Sequence, residues 1–375
     1  MALEQVGTAE EVRAEATARR ARARTFLAQV GLDALIINRQ DHFAWLTCGG
    51  DNRVVTTSEQ GFAYLVLTAD AQWLVAYSID GQRFLDEQVP GQGYELVQMH
   101  WHEGSPLAKV EELTRGLRAG SDTPLPGARL LGAELVDLHY PLSDLDIARC
   151  RWIGRTTNAI LSSVARDLQP GCTEQEIAAR LLYEYAGQGM TLDVLIVGAD
   201  ERISRYRHPL PTENVLRRYC LLHPAARRWG LHANVTRLVH FGAPPSRVQR
   251  AFDTAVTVAG HVASLLAPGV AFADILAEQK RLYAALGYGD EWHYHFQGGI
   301  TGYTLADPAR SLVHGAHAVE RQAFDYFITI TGAKVEELAL LTEAGVEVPS
   351  LGPGWPVREV ETPSGVIAMP DMLVR

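Results

Sequence analysis

Apolar positions along this chain come first as short runs and later as helical repeats interleaved with strands. Residues 9–29 are rich in helix formers, and Gly31 supplies a stop, so a helix is expected there. Three short β-rich runs follow, at 34–37, 61–67 and 72–77, separated by polar turns; each reads as a strand. Residues 109–117 are helical in pattern. The texture changes at 142–148. Beyond it a long helical repeat covers 147–167 and ends at Pro170-Gly171. Thr173-Glu-Gln-Glu176 has capping-box spacing and opens a helix to about Gly187. Strands are expected at 193–197, 219–223, 234–239, 325–331 and 337–342, with helices at 246–266 and 272–286. The pattern is α/β, in two domains divided as 1–145 and 146–375.

Composition narrows the function classes. The chain has 375 residues, 47% apolar and 21% charged, as expected for a soluble globular protein. A net charge of −10 repels phosphate backbones, which argues against nucleic acid as a partner. The arginines Arg19, Arg20, Arg22 and Arg24 in the first helix are therefore expected on a solvated face and not in a nucleic-acid arm. No apolar run reaches membrane-spanning length and the N-terminus has no hydrophobic signal core. Cys48, Cys150, Cys172 and Cys220 are widely spaced and read as reduced thiols, so a cytoplasmic protein is expected. Neither a phosphate-cradling Walker loop nor a GxGxxG loop is present.

Several motifs in the second half, taken in order, resemble the creatinase and aminopeptidase P family, with its pita-bread fold. They are Pro170-Gly171 before a Thr-Glu helix start, Arg207-His208-Pro209, Thr236-Arg237 running to Phe241-Gly242, Ala267-Pro268-Gly269, His295-Phe-Gln-Gly-Gly299 and Gly332-Ala-Lys-Val-Glu336. In the first half, Trp45 before Gly49-Gly50 suits the smaller N-terminal domain of that family. The resemblance implies a homodimer. It also implies a two-metal site held by two aspartates, a histidine and two glutamates. Here the matching aspartate positions carry His223 and Asn234, and Phe324-Asp-Tyr-Phe-Ile328 runs where a Glu-Pro-Gly segment would stand. A pair of divalent ions needs several carboxylates to offset its charge, and only His295 and Glu336 of the set remain. The expectation is an enzyme with no metal and no cofactor, as in creatinase itself.

His208 lies in a loop and can move protons near neutral pH, so it ranks first among catalytic candidates, with His295 and Glu336 beside it. Glu336 and Glu337 are adjacent, so on a strand only one can face a site. Substrate contacts are expected from His223, Asn234, Arg237, Gln297 and Tyr303, with the Gly298-Gly299 amides as a further anion donor. Against these stand plainer roles: a surface histidine, a tight turn, a structural arginine, aromatic core packing. His293-x-His295 and His100-x-His102 could each share one face of a strand, but no third metal ligand is evident. The reading is His-centred acid/base cleavage or rearrangement of a C–N bond in a small amino-acid-like molecule. The alternatives are an Xaa-Pro-type metallopeptidase with unusual ligands, or a non-catalytic pita-bread binding module.

Overall fold

The computed structural model describes residues 3–305 and 315–375. The chain divides into two compact units, residues 5–145 and residues 146–375, the second joined by the first few residues of the chain.

The first unit is built on a six-stranded sheet. Its strands are β1 (Ala34–Arg39), β2 (Gln60–Thr68), β3 (Gln72–Tyr77), β4 (Glu95–Met99), β5 (Ala119–Ser121) and β6 (Ala128–Leu130), in the order β4-β3-β2-β1-β5-β6. The expected helix spans Ala9–Val30, with Thr8 and Glu11 closing a capping box and Gly31 ending it at φ 70°. Its arginines depart from expectation. Arg19 is fully buried and donates to the Trp45 carbonyl at 2.7 Å. Arg20 donates to Gln92 Oε1 at 3.1 Å, Arg22 to the Leu138 carbonyl at 3.1 Å and Arg24 to the Thr68 carbonyl at 2.8 Å. The forked guanidinium satisfies carbonyls that a loop end or strand end leaves open. These side chains therefore tie the helix to its own unit and do not form a solvated face.

The second unit carries two larger sheets. Strands β7 (Thr191–Ala199), β8 (Tyr219–Arg228), β9 (Leu231–Asn234), β10 (Arg237–His240) and β17 (Leu373–Val374) make one, ordered β17-β10-β8-β7 with β9 on β8. Strands β11 (Gly299–Thr301), β12 (Ala323–Ile330), β13 (Ala333–Thr342) and β14 (Gly345–Glu347) make the other. The Thr236 N–H donates to the Glu336 carbonyl at 3.0 Å, which joins the two sheets at the middle of the site described below. The strand expected over 234–239 is broken at Val235-Thr236 into β9 and β10. Helix Glu174–Gly187 packs on β7, and helix Ser246–Leu265 packs on β12, β13 and a terminal hairpin of β15 (Val357–Thr362) and β16 (Gly365–Pro370). That hairpin is absent from the sequence reading, although its segment is apolar enough to dock.

The loop between β7 and β8 holds His208, and a buried carboxylate pins it. Glu174 is fully buried at the start of its helix. It accepts from the Ala199 N–H at 2.8 Å, from the Thr212 N–H at 3.0 Å and the Thr212 hydroxyl at 2.8 Å, and pairs with Arg202. Deleting it strands several donors at once. Glu174→Ala is expected to cost about 2–3 kcal/mol of stability, read as a lowered urea midpoint. A change under about 0.5 kcal/mol, the ordinary size for surface positions, would mean the network is not needed to hold the loop.

Candidate active site

Strand parity decides which side chains meet. In the β8–β10 ladder Arg237 pairs with Leu222, which places Thr236 opposite His223. In the β8–β9 ladder Asn234 pairs with Ala225. His223, Asn234 and Thr236 therefore share one face, and Arg237 lies on the other. In the second sheet Glu336 pairs with Phe327 and Lys334 with Thr329. Asp325, Phe327, Lys334 and Glu336 hence share a face, and Glu337 points away.

The inward faces make one buried cluster. His223 Nδ1 lies 3.0 Å from Thr236 Oγ1 and 3.5 Å from Glu336 Oε2. Lys334 Nζ sits 2.6 Å from the same Glu336 oxygen, and both side chains are 3% exposed. Burial holds His223 well below the usual histidine range, and the Lys334 charge pushes it further down, so the ring is neutral. Burial raises Glu336 while Lys334 opposes the rise. Asn234 donates weakly to the Leu305 carbonyl at 3.4 Å, and its own amide oxygen is buried with no partner among the described residues.

Asp325 is the residue the sequence reading missed. It is fully buried, and among the described residues no hydrogen bond of normal geometry reaches either carboxyl oxygen, although the Asn234 amide lies toward it. Burial first, then the Glu336 charge, raises its pKa well above the usual range, so it holds a proton. The signal was available: a single acid inside an otherwise apolar strand, two residues from Phe327 and so on its face.

At the open end of the cluster His208 and His295 meet. Their Nε2 atoms are 3.0 Å apart and the rings are edge to face. The tautomers follow from the neighbours. His295 Nδ1 lies 2.7 Å from the Phe296 carbonyl, which only accepts, so Nδ1 carries the proton. His295 Nε2 is then a lone pair that accepts from His208 Nε2–H. This leaves His208 Nδ1 as a free base on an exposed ring. Burial and the nearby Lys334 charge lower both rings, His295 to about 3. His295 is thus a fixed neutral acceptor that orients His208.

The remaining expected residues fall elsewhere. Arg237 is buried in an ion pair with Glu337 on the back of the sheets and donates to the Ser350 carbonyl at 2.8 Å, so its fork is not offered to a substrate. Tyr303 is buried and donates to Asp146 Oδ1 at 2.7 Å, which also removes it from the site. Gln297 braces the His295 loop: its Nε2 donates to the His295 carbonyl at 2.9 Å, and its own carbonyl accepts from Gln279 at 2.8 Å. Gly298, at φ 146°, lies so close to β12 that a Cβ would fall 2.9 Å from the Phe324 ring. Gly298 therefore serves close packing against β12.

The donors do not suit a dinuclear metal centre. Among the described residues no group of three or more His, Cys, Asp or Glu side chains is placed to hold a metal ion. Phe327 stands opposite Glu336, Asn234 is uncharged, and Lys334 already engages the surviving glutamate.

A cleft of about 400 Å³ is lined by Arg205, Tyr206, Arg207, Tyr294 and Thr331. Arg207 and Tyr294 are chain neighbours of His208 and His295, so the cleft is walled by the two segments that carry the pair. Arg207 is matched by Glu291, whereas Arg205 has no ion-pair partner among the described residues.

Comparison with known proteins settles the frame. A signature described as metallopeptidase family M24 matches residues 148–338, just over half of the chain. The chain belongs to metallopeptidase family M24. An uncharacterized peptidase of Staphylococcus saprophyticus is 22% identical over 189 residues, a match covering 49% of each chain, so the chain spans about half of that relative's length. Among solved structures, an Xaa-Pro dipeptidase from Bacillus anthracis superposes with a TM-score of 0.76 at 17% identity, over 96% of this chain and 100% of its own. The dipeptidase PepE from Mycobacterium ulcerans gives 0.76 at 18%, over 96% and 98%, and a prolidase from Pyrococcus horikoshii 0.75 at 14%, over 89% and 98%. At such identities the likeness establishes the shared pita-bread fold. This M24 chain keeps that frame. Among the described residues no helix is long and apolar enough to cross a membrane.

Proposed function

We propose that this M24 protein hydrolyses a C–N bond in a small amino-acid-like molecule by proton transfer at His208, without a dinuclear metal centre. The observation that carries the reading is the 3.0 Å contact between His208 and His295, with the tautomers that the Phe296 carbonyl dictates. His208 Nδ1 takes a proton from water as the water oxygen bonds to the substrate carbon. The C–N electron pair leaves with nitrogen, and the same histidine returns its proton there. His295 fixes the ring and exposes only one nitrogen to the reaction. The cleft beside the pair supports a substrate with an anionic group, for which Arg205 is a cation with no ion-pair contact among the described residues.

A second reading, an Xaa-Pro-type metallopeptidase with unusual ligands, draws support from the family and from neighbours named as Xaa-Pro dipeptidase and prolidase. Elemental mass spectrometry on protein purified without added metal separates the two. Less than about a tenth of an equivalent per chain is expected, because the cluster lacks the charge to offset two divalent ions. Hydrolysis of a panel of Xaa-Pro dipeptides and amidino or carbamoyl amino acids should also survive chelation. One or two equivalents of manganese, zinc or iron, with chelator-sensitive hydrolysis, would replace the first reading by the second.

A further inference from the structure

We infer that the cleft beside the histidine pair takes a planar aromatic ring together with a carboxylate, so that the substrate is an aromatic amino acid carrying a cleavable N-acyl group. This rests on the hydrolytic reading above. The cleft, about 400 Å³, falls in the range that holds a small organic molecule, roughly 300–1,000 Å³. Two of its lining side chains are tyrosines that the fold leaves in solvent, Tyr206 at 52% and Tyr294 at 63% exposure. Each is nonetheless held. The Arg202 guanidinium lies 5.6 Å from the Tyr206 ring centroid, and the Arg207 guanidinium 5.8 Å from that of Tyr294. Both arginines are themselves fixed. Arg202 pairs with the buried Glu174 and donates to the Leu210 carbonyl at 3.0 Å. Arg207 pairs with Glu291 and donates to the Thr331 hydroxyl at 3.2 Å.

A single exposed aromatic residue needs no explanation. Two rings, each pinned by an anchored arginine and both walling one cleft, make a preorganised stacking surface. The cation takes one face of each ring, and a planar guest can stack on what stays open. Arg205 lines the same cleft and supplies the charge. Glu201, one turn before it in the short helix Glu201–Arg205, is engaged by Arg217 at 2.6 Å, which leaves the Arg205 fork for a carboxylate. An aromatic amino acid carries ring, carboxylate and nitrogen on neighbouring carbons. Anchoring the first two leaves its N-acyl bond to the histidine pair, because Arg207 and Tyr294 in the cleft wall are the chain neighbours of His208 and His295. Water oxygen bonds to the acyl carbon, and the C–N electron pair and the proton carried by His208 go to nitrogen. An acyl carboxylic acid and the free aromatic amino acid are the products.

The test is a ligand-observed NMR titration of the full-length protein with phenylpropanoate, cyclohexylpropanoate and phenylpropanamide. The second probe loses the planar ring and the third the charge. Phenylpropanoate should bind with a Kd on the order of 1 mM, in keeping with the efficiency of small ligands. The cyclohexyl probe should bind about two- to tenfold more weakly, and the amide at least about tenfold more weakly. Tyr294→Leu and Tyr206→Leu should each reduce the preference for the planar ring, and Arg205→Gln should remove the preference for the carboxylate. All three positions are exposed, and circular dichroism checks that the variants fold. Equal affinity for the three probes, unchanged preferences in folded variants, or no saturation by phenylpropanoate overturns the assignment. The readout needs no turnover. If it fails while amide hydrolysis still depends on His208, the hydrolytic reading stands. If the probes behave as expected but His208→Ala hydrolyses N-acetylphenylalanine at the wild-type rate, that reading falls and the cleft assignment stands.

Discussion

His208→Ala is expected to lower turnover of the responsive substrate by ~10²–10⁴-fold, the usual worth of a positioned acid/base group. Melting temperature should not move, because the ring is exposed and its one side-chain polar contact among the described residues is to His295. The pH profile carries the mechanism. His208 is lowered by burial and by the Lys334 charge, so its base form persists through neutrality. The rate should therefore stay level from pH 8 to about 6.5, the ordinary histidine value, and fall only as pH drops through the lowered value. Removing the orienting partner with His295→Phe should reduce kcat more than it raises KM. Steady-state kinetics across pH on the three proteins checks this; an unchanged rate in His208→Ala would move the chemistry to another group.

Arg237→Met is expected to destabilise the protein by about 3–5 kcal/mol, as when one partner of a buried ion pair is removed. Arg237 is 1% exposed and Glu337 fully buried, and the Ser350 hydroxyl donates to the same carboxylate. Burial raises Glu337 while Arg237 opposes it. Without the guanidinium, Glu337 must take up a proton or remain as an uncompensated charge. Adding Glu337→Met should recover much of the loss, because an apolar pair can fill the same space. Urea denaturation of the two single variants and the double variant measures the coupling. Coupling below about 0.5 kcal/mol, the scatter of independent sites, would mean the pair is not a unit. Activity lost by Arg237→Met in excess of its unfolded fraction would restore the arginine to a substrate role.

Much of the second unit was legible because its signals are local. The Thr173–Glu176 capping box forms as spelled, with the Glu176 carboxylate accepting the Thr173 N–H at 2.7 Å. Helix Ser246–Leu265 and strand β12 lie within two residues of their expected bounds. The M24 frame was legible from the order of its motifs, and His208, His295 and Glu336 do converge with His223 and Asn234. What failed was the assignment of faces. Arg237 follows Thr236 in the chain and so seemed to share its site, yet a step of one residue on a strand reverses the direction of a side chain. The same rule, applied to Glu336 and Glu337, gave a correct expectation. Tyr303 failed for another reason: its partner, Asp146, is 157 residues away in the chain.

By itself the sequence determined where the long helices start and stop, the α/β alternation and the family frame. Those depend on periodicity, caps and residue identity, which are properties of neighbours along the chain. The tertiary structure alone decided that the arginines of the first helix are structural and that His295 holds one tautomer. It also placed Asp325 on the same sheet face as Glu336 and set the Lys334 ammonium against that glutamate. These depend on strand register and on burial, and both exist only once distant segments are brought to contact distance.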